Sequence, residues 1–276
     1  MAPKEYSEKS LRVGLIGKKI GVTNYWEPKT GFRKTCTLIH IPDNHVLRYF
    51  PKDEFNGMTA ACIVGAGDGM GLMKNEVYNQ YCRDAGVPVK SKCFRFVCSE
   101  DAGLLPGTRL HVGHFRAGDY VDFRVKSIGY GHLDAMQRWH AGGGPELDRG
   151  GFKRGIGAVS SEGMAGLIRG KKNVGKVGNL FENARGRRVL RINYKHQVIW
   201  VNGRIPGHIN QWVQIRDHMF MRRWRQPWQR KVGTEKRELP PFPTCFKDRW
   251  NSDNFPGEVY DTEHYAKWTD ESIKFK

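Results

Sequence analysis

The chain has 276 residues, 46 Lys+Arg against 28 Asp+Glu, a formal charge of +18 at pH 7, and 39% hydrophobic with 12% aromatic residues. That length allows one or two domains with a real core, the aromatic share is too high for a disordered chain, and no window approaches the ~18 consecutive apolar residues of a membrane span. So large a positive excess repels itself unless a polyanion neutralises it; no amphipathic helix carries a lysine face suited to a membrane surface, so nucleic acid is the expected partner.

Residues 1–10 are polar and read as an arm. From position 11 to 125 the chain runs in short β-like segments broken by Gly and Pro, among them 35–41, 60–64, 94–98, 109–112 and 120–125. Their β-branched and aromatic residues suit a pleated, half-buried surface. Segments this short and closely spaced predict a barrel or sandwich rather than βαβ units. One helix is predicted over 75–85, stopped by Gly86 ahead of Pro88.

The character changes at Lys126. Residues 126–191 hold 15 of the 33 glycines, with 13 Lys+Arg against 5 Asp+Glu, and strand signals nearly vanish. Then 188–193 and 197–201 read as two strands, Gly203 to Gly207 turns the chain, and 211–216 is a last strand. The predicted organisation is an arm at 1–10, a first β part at 11–125, an inserted loop at 126–187, return strands at 188–220 and a C-terminal extension at 221–276. The extension begins basic and turns mildly acidic and aromatic from Pro240.

A segment of ~60 residues without secondary structure is expected in a compact domain only if it is functional or disordered. This one carries Trp139, Leu147, Phe152, Ile156, Val159, Met164, Leu167, Ile168 and Phe181, more apolar groups than a solvated linker holds. Glycine lets the backbone approach another surface closely, Lys and Arg neutralise phosphates, and Trp and His stack on unpaired bases. Together they predict a segment threaded into folded RNA, densest at Arg138-Trp139-His140 and along 169–179.

Other chemistries fare poorly. The cysteines Cys36, Cys62, Cys82, Cys93, Cys98 and Cys245 read as reduced thiols in a long chain without a signal-peptide pattern. Cys82, Cys93, Cys98, His111 and His114 could be imagined as a metal set, but there is no CxxC pair and 93–98 alternates like a strand. The run from Gly65 to Gly71 has Met70 where a dinucleotide fingerprint needs its third Gly, and reads as a glycine-rich turn between strands. No P-loop frame surrounds Lys171-Lys172, no GxSxG or HExxH occurs, and Asp53-Glu54 reads as an exposed turn. No catalytic constellation emerges, so the chain is not expected to be an enzyme.

Several segments together resemble the universal large-subunit ribosomal protein three family. Gly14-Leu15-Ile16-Gly17-Lys18-Lys19-Ile20-Gly21-Val22-Thr23 is similar to its amino-terminal signature. Ala85-Gly86-Val87-Pro88, Phe94-Arg95-Phe96 and Pro106-Gly107 match its middle. Ser127-Ile128-Gly129-Tyr130-Gly131 followed by Met136-Gln137-Arg138-Trp139 resembles the entry to its long central loop, and Gly170-Lys171-Lys172 through Gly178-Asn179 the return. Val201-Asn202-Gly203-Arg204-Ile205-Pro206-Gly207 looks like its closing turn. The likeness covers about 11–220 in order.

The resemblance implies a mainly β fold: a six-stranded β-barrel with a long irregular glycine-rich basic loop inserted in it and an irregular C-terminal extension. It implies a structural, assembly-supporting constituent of the large ribosomal subunit whose loop reaches through rRNA toward the peptidyl transferase centre. The expected rRNA contacts are Lys18, Lys19, Arg138, Trp139, His140, Lys153, Arg154, Arg169, Lys171, Lys172, Lys176, Arg187 and Arg188. No cofactor is implied for the protein itself, and any Mg2+ would enter with the rRNA. Neighbouring large-subunit proteins are expected partners through the extension, and neither a membrane nor a homo-oligomer is expected.

Two departures carry information. Bacterial members have a Gln near the loop tip followed by Ala-Thr-His-Gly, whereas here the stretch 142–150 reads Gly-Gly-Gly-Pro-Glu-Leu-Asp-Arg-Gly, putting Gly144 at the Gln position. No side chain is then available there for modification, and Asp148 needs Arg149 or a cation beside phosphates. The tail beyond Met221, with Leu239-Pro240-Pro241-Phe242-Pro243-Thr244, resembles the mitochondrial branch, which sets the expected location; no Arg-rich, acid-poor presequence pattern precedes Leu11. The alternatives are a free RNA-processing or RNA-modifying enzyme and a factor visiting ribosomes transiently.

Overall fold

The structure is a computed structural model that describes residues 10–27, 31–69, 75–144, 153–157, 163, 166–218, 241–246 and 258–260. The arm at 1–9, the loop-tip residues 145–152 and most of the extension lie outside these. In chain order the strands are β1 (Leu15–Trp26), β2 (Arg33–His40), β3 (Asn44–Phe50), β4 (Ala60–Asp68), β5 (Lys90–Cys98), β6 (Arg109–Leu110), β7 (Tyr120–Lys126), β8 (Gly131–Leu133), β9 (Gly175–Val177), β10 (Phe181–Asn193), β11 (Val198–Asn202), β12 (Trp212–Asp217) and β13 (Glu258–Tyr260). The helices are α1 (Lys52–Phe55), α2 (Glu76–Asp84) and α3 (Ala135–Trp139). The chain is mainly β, and it divides into two compact units, Met1–Val125 with Glu182–Lys276, and Lys126–Phe181.

In the first unit, β11, β2, β1, β12, β7 and β10 are neighbours in that order, and β10 pairs again with β11, so the ladder returns to its starting strand. A ladder closed this way leaves no long unpaired edge among its members, and β13 adds alongside β10. A second sheet runs β5-β4-β3-β6. Period-two burial builds the interior: Val121, Phe123 and Val125 of β7 face inward beside Val213 and Ile215 of β12. Asp122, between them, is also buried; it accepts from the Gly186 N–H at 2.8 Å and sits 2.6 Å from His218 Nδ1, which offsets the cost of burying a carboxylate. Val46, Val64 and Phe96 of the second sheet join Leu15, Ile39 and Ile215 in one core.

Two strands hide from a sequence pattern. β1 carries Gly17, and Gly14 precedes it, although Gly weakens a strand. Here glycine is required: a Cβ at Gly14 would collide with the Ile215 carbonyl and the Phe96 ring, and one at Gly17 with Ile39. In β3 a register shift between Val46 and Arg48 breaks the alternation.

The remaining differences are of extent. β10 starts at Phe181, not at 188, because its first residues are exposed apart from Ala184 and show no apolar alternation. Gly65 and Gly67 lie inside β4 rather than in a turn, with Lys90 and Leu47 filling the space a Gly65 Cβ would need. The predicted 75–85 helix is α2, whose Asn75 side chain accepts from the Val77 N–H. Asp53 and Glu54 are exposed within α1.

Candidate nucleic-acid interface

The second unit is a stem closed by backbone. β8 and β9 pair antiparallel, with His132 opposite Lys176. Below them the Tyr130 N–H donates to Val177 O at 3.0 Å, and the Ser127 N–H and Oγ donate to Leu180 O at 2.8 and 3.1 Å. Gly178 has φ +73, and a Cβ there would run into the Ile128 carbonyl, so only glycine closes this stem.

Above the stem stands α3. Asp134 caps it by accepting from the Gln137 N–H at 2.9 Å. The same carboxylate accepts from Arg154 Nε at 2.6 Å, and that hydrogen bond, with those from the Gln137 and Met136 amides, holds its pKa below the usual range. The helix stops at His140, which is left-handed at φ 55.

Arg138 Nη1 donates to the carbonyls of Asn173 and Val174 at 3.2 and 3.1 Å, while Trp139 Nε1 donates to Asn173 O at 2.9 Å. The Arg138 guanidinium lies 5.1 Å from the Trp139 ring centroid. A Cβ at Gly175 would strike Arg138 Nη1, so a side chain there would push the guanidinium off these carbonyls. Arg138 and Trp139 thus lock α3 against the returning segment, and the indole remains 41% exposed.

Around this scaffold the surface is basic and apolar at once. Among the described residues of the unit, eight Lys and Arg accompany one carboxylate, Asp134. Ile128, Tyr130, Leu167, Ile168, Leu180 and Phe181 are exposed beside them. Cations and exposed apolar groups together have the chemistry that a polynucleotide offers partners for, phosphates for the one and bases for the other.

The structure sorts the expected contact residues. His140, Lys153, Arg154, Arg169, Lys172 and Lys176 are exposed on the second unit, and Arg138 and Lys171 are half-buried there. Lys18 is half-buried in the first unit, its ammonium 5.7 Å from the Trp212 ring centroid. Lys19 is placed differently from Lys18: it is buried, its Nζ donates to Ile205 O and Gly207 O at 2.7 and 2.6 Å, and burial lowers its pKa. It ties the amino-terminal motif to the closing turn and is not free for a phosphate. Arg188 is also buried, its guanidinium 5.7 Å from the Tyr120 ring centroid. Arg187 is half-buried against Gly203.

Gly143 packs on the Lys153 carbonyl, and the Gly144 N–H donates to that oxygen at 3.1 Å; the altered tip from 145 to 150 lies outside the described residues. The imagined metal set does not assemble: His114 contacts Thr244, Cys98 contacts Cys62, and no group of three His, Cys, Asp or Glu able to hold a metal ion occurs among the described residues.

A family model described as ribosomal protein L3 matches residues 102–198, from before β6 through the second unit to the start of β11. The large ribosomal subunit protein uL3m of Arabidopsis thaliana is 30% identical over 242 residues, covering 87% of this chain and 70% of that protein. The chain belongs to the ribosomal protein L3 family. The large ribosomal subunit proteins uL3 of Rickettsia massiliae (strain Mtu5) and Rickettsia prowazekii (strain Madrid E) are each 28% identical over 212 residues, covering 75% of this chain and 96% and 95% of those proteins.

Sequence reasoning missed several working residues of this L3-family chain. Arg12, Asp217, His114 and Thr244 form a polar network in the first unit, in which Arg12 also donates to the Pro241 carbonyl, 229 residues away. No local motif marks it; only the odd placement of Arg12 within an apolar run was readable. Tyr130 and Phe181 were legible as aromatic residues, while their exposure required the stem.

Proposed function

We propose that this chain is a structural constituent of the large subunit of the mitochondrial ribosome, not an enzyme, that binds large-subunit rRNA and supports assembly and the region near the peptidyl transferase centre. The observation that carries this reading is the uL3m relative, 30% identical across 87% of the chain; the same relative supports the mitochondrial location. In this reading the closed six-strand ladder is the barrel of the family, residues 126–187 are its rRNA-penetrating loop, and 221–276 is an extension that meets neighbouring subunit proteins. Lys18, His140, Lys153, Arg154, Arg169, Lys171, Lys172 and Lys176 meet phosphates or bases. Arg138 and Trp139 hold the loop in shape and offer their open faces to the RNA, with Arg187 at the loop's base.

Sedimentation of a mitochondrial lysate through a high-salt sucrose gradient, followed by mass spectrometry, tests it. Co-migration with the large subunit is expected. Release to the top of the gradient would overturn the structural role and favour a transient factor or a free RNA enzyme.

A further inference from the structure

The second sheet of the first unit carries two arginines that the loop does not involve. In register across β3, β4 and β5, Arg48 stands opposite Ile63 and Ile63 opposite Arg95. Arg48 reaches this face through the irregularity between Val46 and Arg48. An extra residue in one strand turns two consecutive side chains the same way: Leu47 is buried with Ile63 and Cys82 of α2, and Arg48 stands exposed next to it.

Each guanidinium rests on aromatic rings. That of Arg48 lies 4.8 Å from the Phe50 centroid and 5.1 Å from that of Tyr81 on α2. That of Arg95, also exposed, lies 4.9 Å from the Phe55 centroid on α1. Among the described residues neither meets a hydrogen-bond acceptor or a carboxylate; Asp53 and Glu54 on α1 and Asp84 on α2 leave both unpaired. An arginine held over a ring by cation–π attraction spends no N–H donor on that contact, and its planar fork of donors matches the oxygens of a phosphate. Two strand spacings separate the pair by about 10 Å, over a floor closed by Ile63. One small anion cannot span both forks, whereas a phosphodiester backbone offers a charge at every nucleotide.

We propose that this face is a second rRNA contact, in which Arg48 and Arg95 hold backbone phosphates independently of the inserted loop. Lys52 and Arg83 on the flanking helices are outnumbered there by Asp53, Glu54, Glu76 and Asp84, so the site rests on the two arginines themselves, and the chain's overall +18 favours a nucleic acid over an acidic protein as the partner. The proposal rests on the rRNA-binding reading, and its test separates the two.

Binding of the full chain to a transcript of the mitochondrial large-subunit rRNA is measured against salt. Replacing both residues, R48Q with R95Q, is expected to lower the log–log slope by about 1.4–1.8, at roughly 0.7–0.9 per phosphate, and R48K with R95K to restore most of it. An unchanged slope in the Gln pair, beside a reduced slope in a variant of the loop lysines, overturns this contact and leaves loop binding standing. Unchanged slopes in both overturn both. In the unmodified protein, phenylglyoxal labelling read by mass spectrometry is expected to show Arg48 and Arg95 protected by the transcript, whether or not the Gln pair folds. Labelling unaffected by RNA, or blocked only after large-subunit proteins are added, overturns the assignment, the latter in favour of an acidic protein partner.

Discussion

The guanidinium of Arg12 closes on the carboxylate of Asp217 through two hydrogen bonds, 2.9 Å from Nε and 2.6 Å from Nη2, joining positions 205 residues apart. Its Nη1 donates to the carbonyls of His114 and Pro241, at 2.7 and 2.9 Å. One buried side chain therefore fastens the entry to β1, the end of β12 and the first described stretch of the extension. Thr244 and Cys245 are buried beyond it, so 241–246 belongs to the fold of the first unit.

Replacing Arg12 by Ala removes two hydrogen bonds from the Asp217 carboxylate and the donor to two carbonyls. Removing one partner of a buried ion pair costs about 3–5 kcal/mol, so R12A is expected to lower the urea midpoint strongly. A chain ending at residue 240 should lose part of the same stability, since it lacks Pro241, Thr244 and β13. A truncated chain as stable as the full one would show that 241–246 adds nothing to the unit.

His114 is fully buried, and burial, with the neighbouring Arg12 charge, pushes its pKa down to about 3. In the unfolded chain an imidazole titrates near 6.5. Between these values the unfolded state binds more protons than the folded one, so stability falls as pH falls from 6.5 toward 3 and is unaffected by this group above 6.5. From pH 6.5 to pH 5 the loss is roughly 2 kcal/mol at 1.36 kcal/mol per unit. Urea unfolding of the wild type and H114Q across that window is the check, the variant giving the flatter profile.

Gly14 and Gly178 test two different close approaches. G14A forces a methyl between the Ile215 carbonyl and Phe96 in the core, an overpacking expected to cost about 1–3 kcal/mol and lower the melting temperature. G178A demands a left-handed alanine against the Ile128 carbonyl. It is expected to speed hydrogen exchange at the Ser127 and Tyr130 amides, whose partners lie on the far side of the stem. Unchanged exchange at those amides would mean that the stem closes without Gly178.

These cases show what the sequence could carry. The runs at 60–64, 94–98 and 120–125 were legible because β-branched and aromatic residues mark a pleated surface. β1 was not, since its glycines argue against a strand until their packing partners are known. The Gly-rich, basic character of 126–191 predicted an interface, and Lys171, Lys172 and Lys176 lie on the second unit that this segment builds. Whether a given cation faces out depended on register: Lys18 and Lys19 are adjacent, and period two sends Lys19 into the turn.

That inward course makes Lys19 a stability residue. K19A leaves the carbonyls of Ile205 and Gly207 without their donor, at roughly 1–3 kcal/mol for unsatisfied buried groups. Thermal melts are expected to fall for K19A while the salt slope of RNA binding, measured well below the melting temperature, stays at the wild-type value. A slope reduced by the equivalent of one phosphate would return Lys19 to the RNA interface.

Arg169, Lys171, Lys172 and Lys176 lie on the second unit, whose backbone closure at Ser127–Leu180 and Tyr130–Val177 uses none of their side chains. Their replacement by Ala should leave the stem paired and remove four positive charges. Each phosphate no longer neutralised takes roughly 0.7–0.9 from the log–log slope, so the quadruple variant is expected to flatten it by about 3 while the melting temperature stays near wild type. A slope equal to the wild-type value would mean that these four cations face solvent and that the polyanion meets the chain elsewhere.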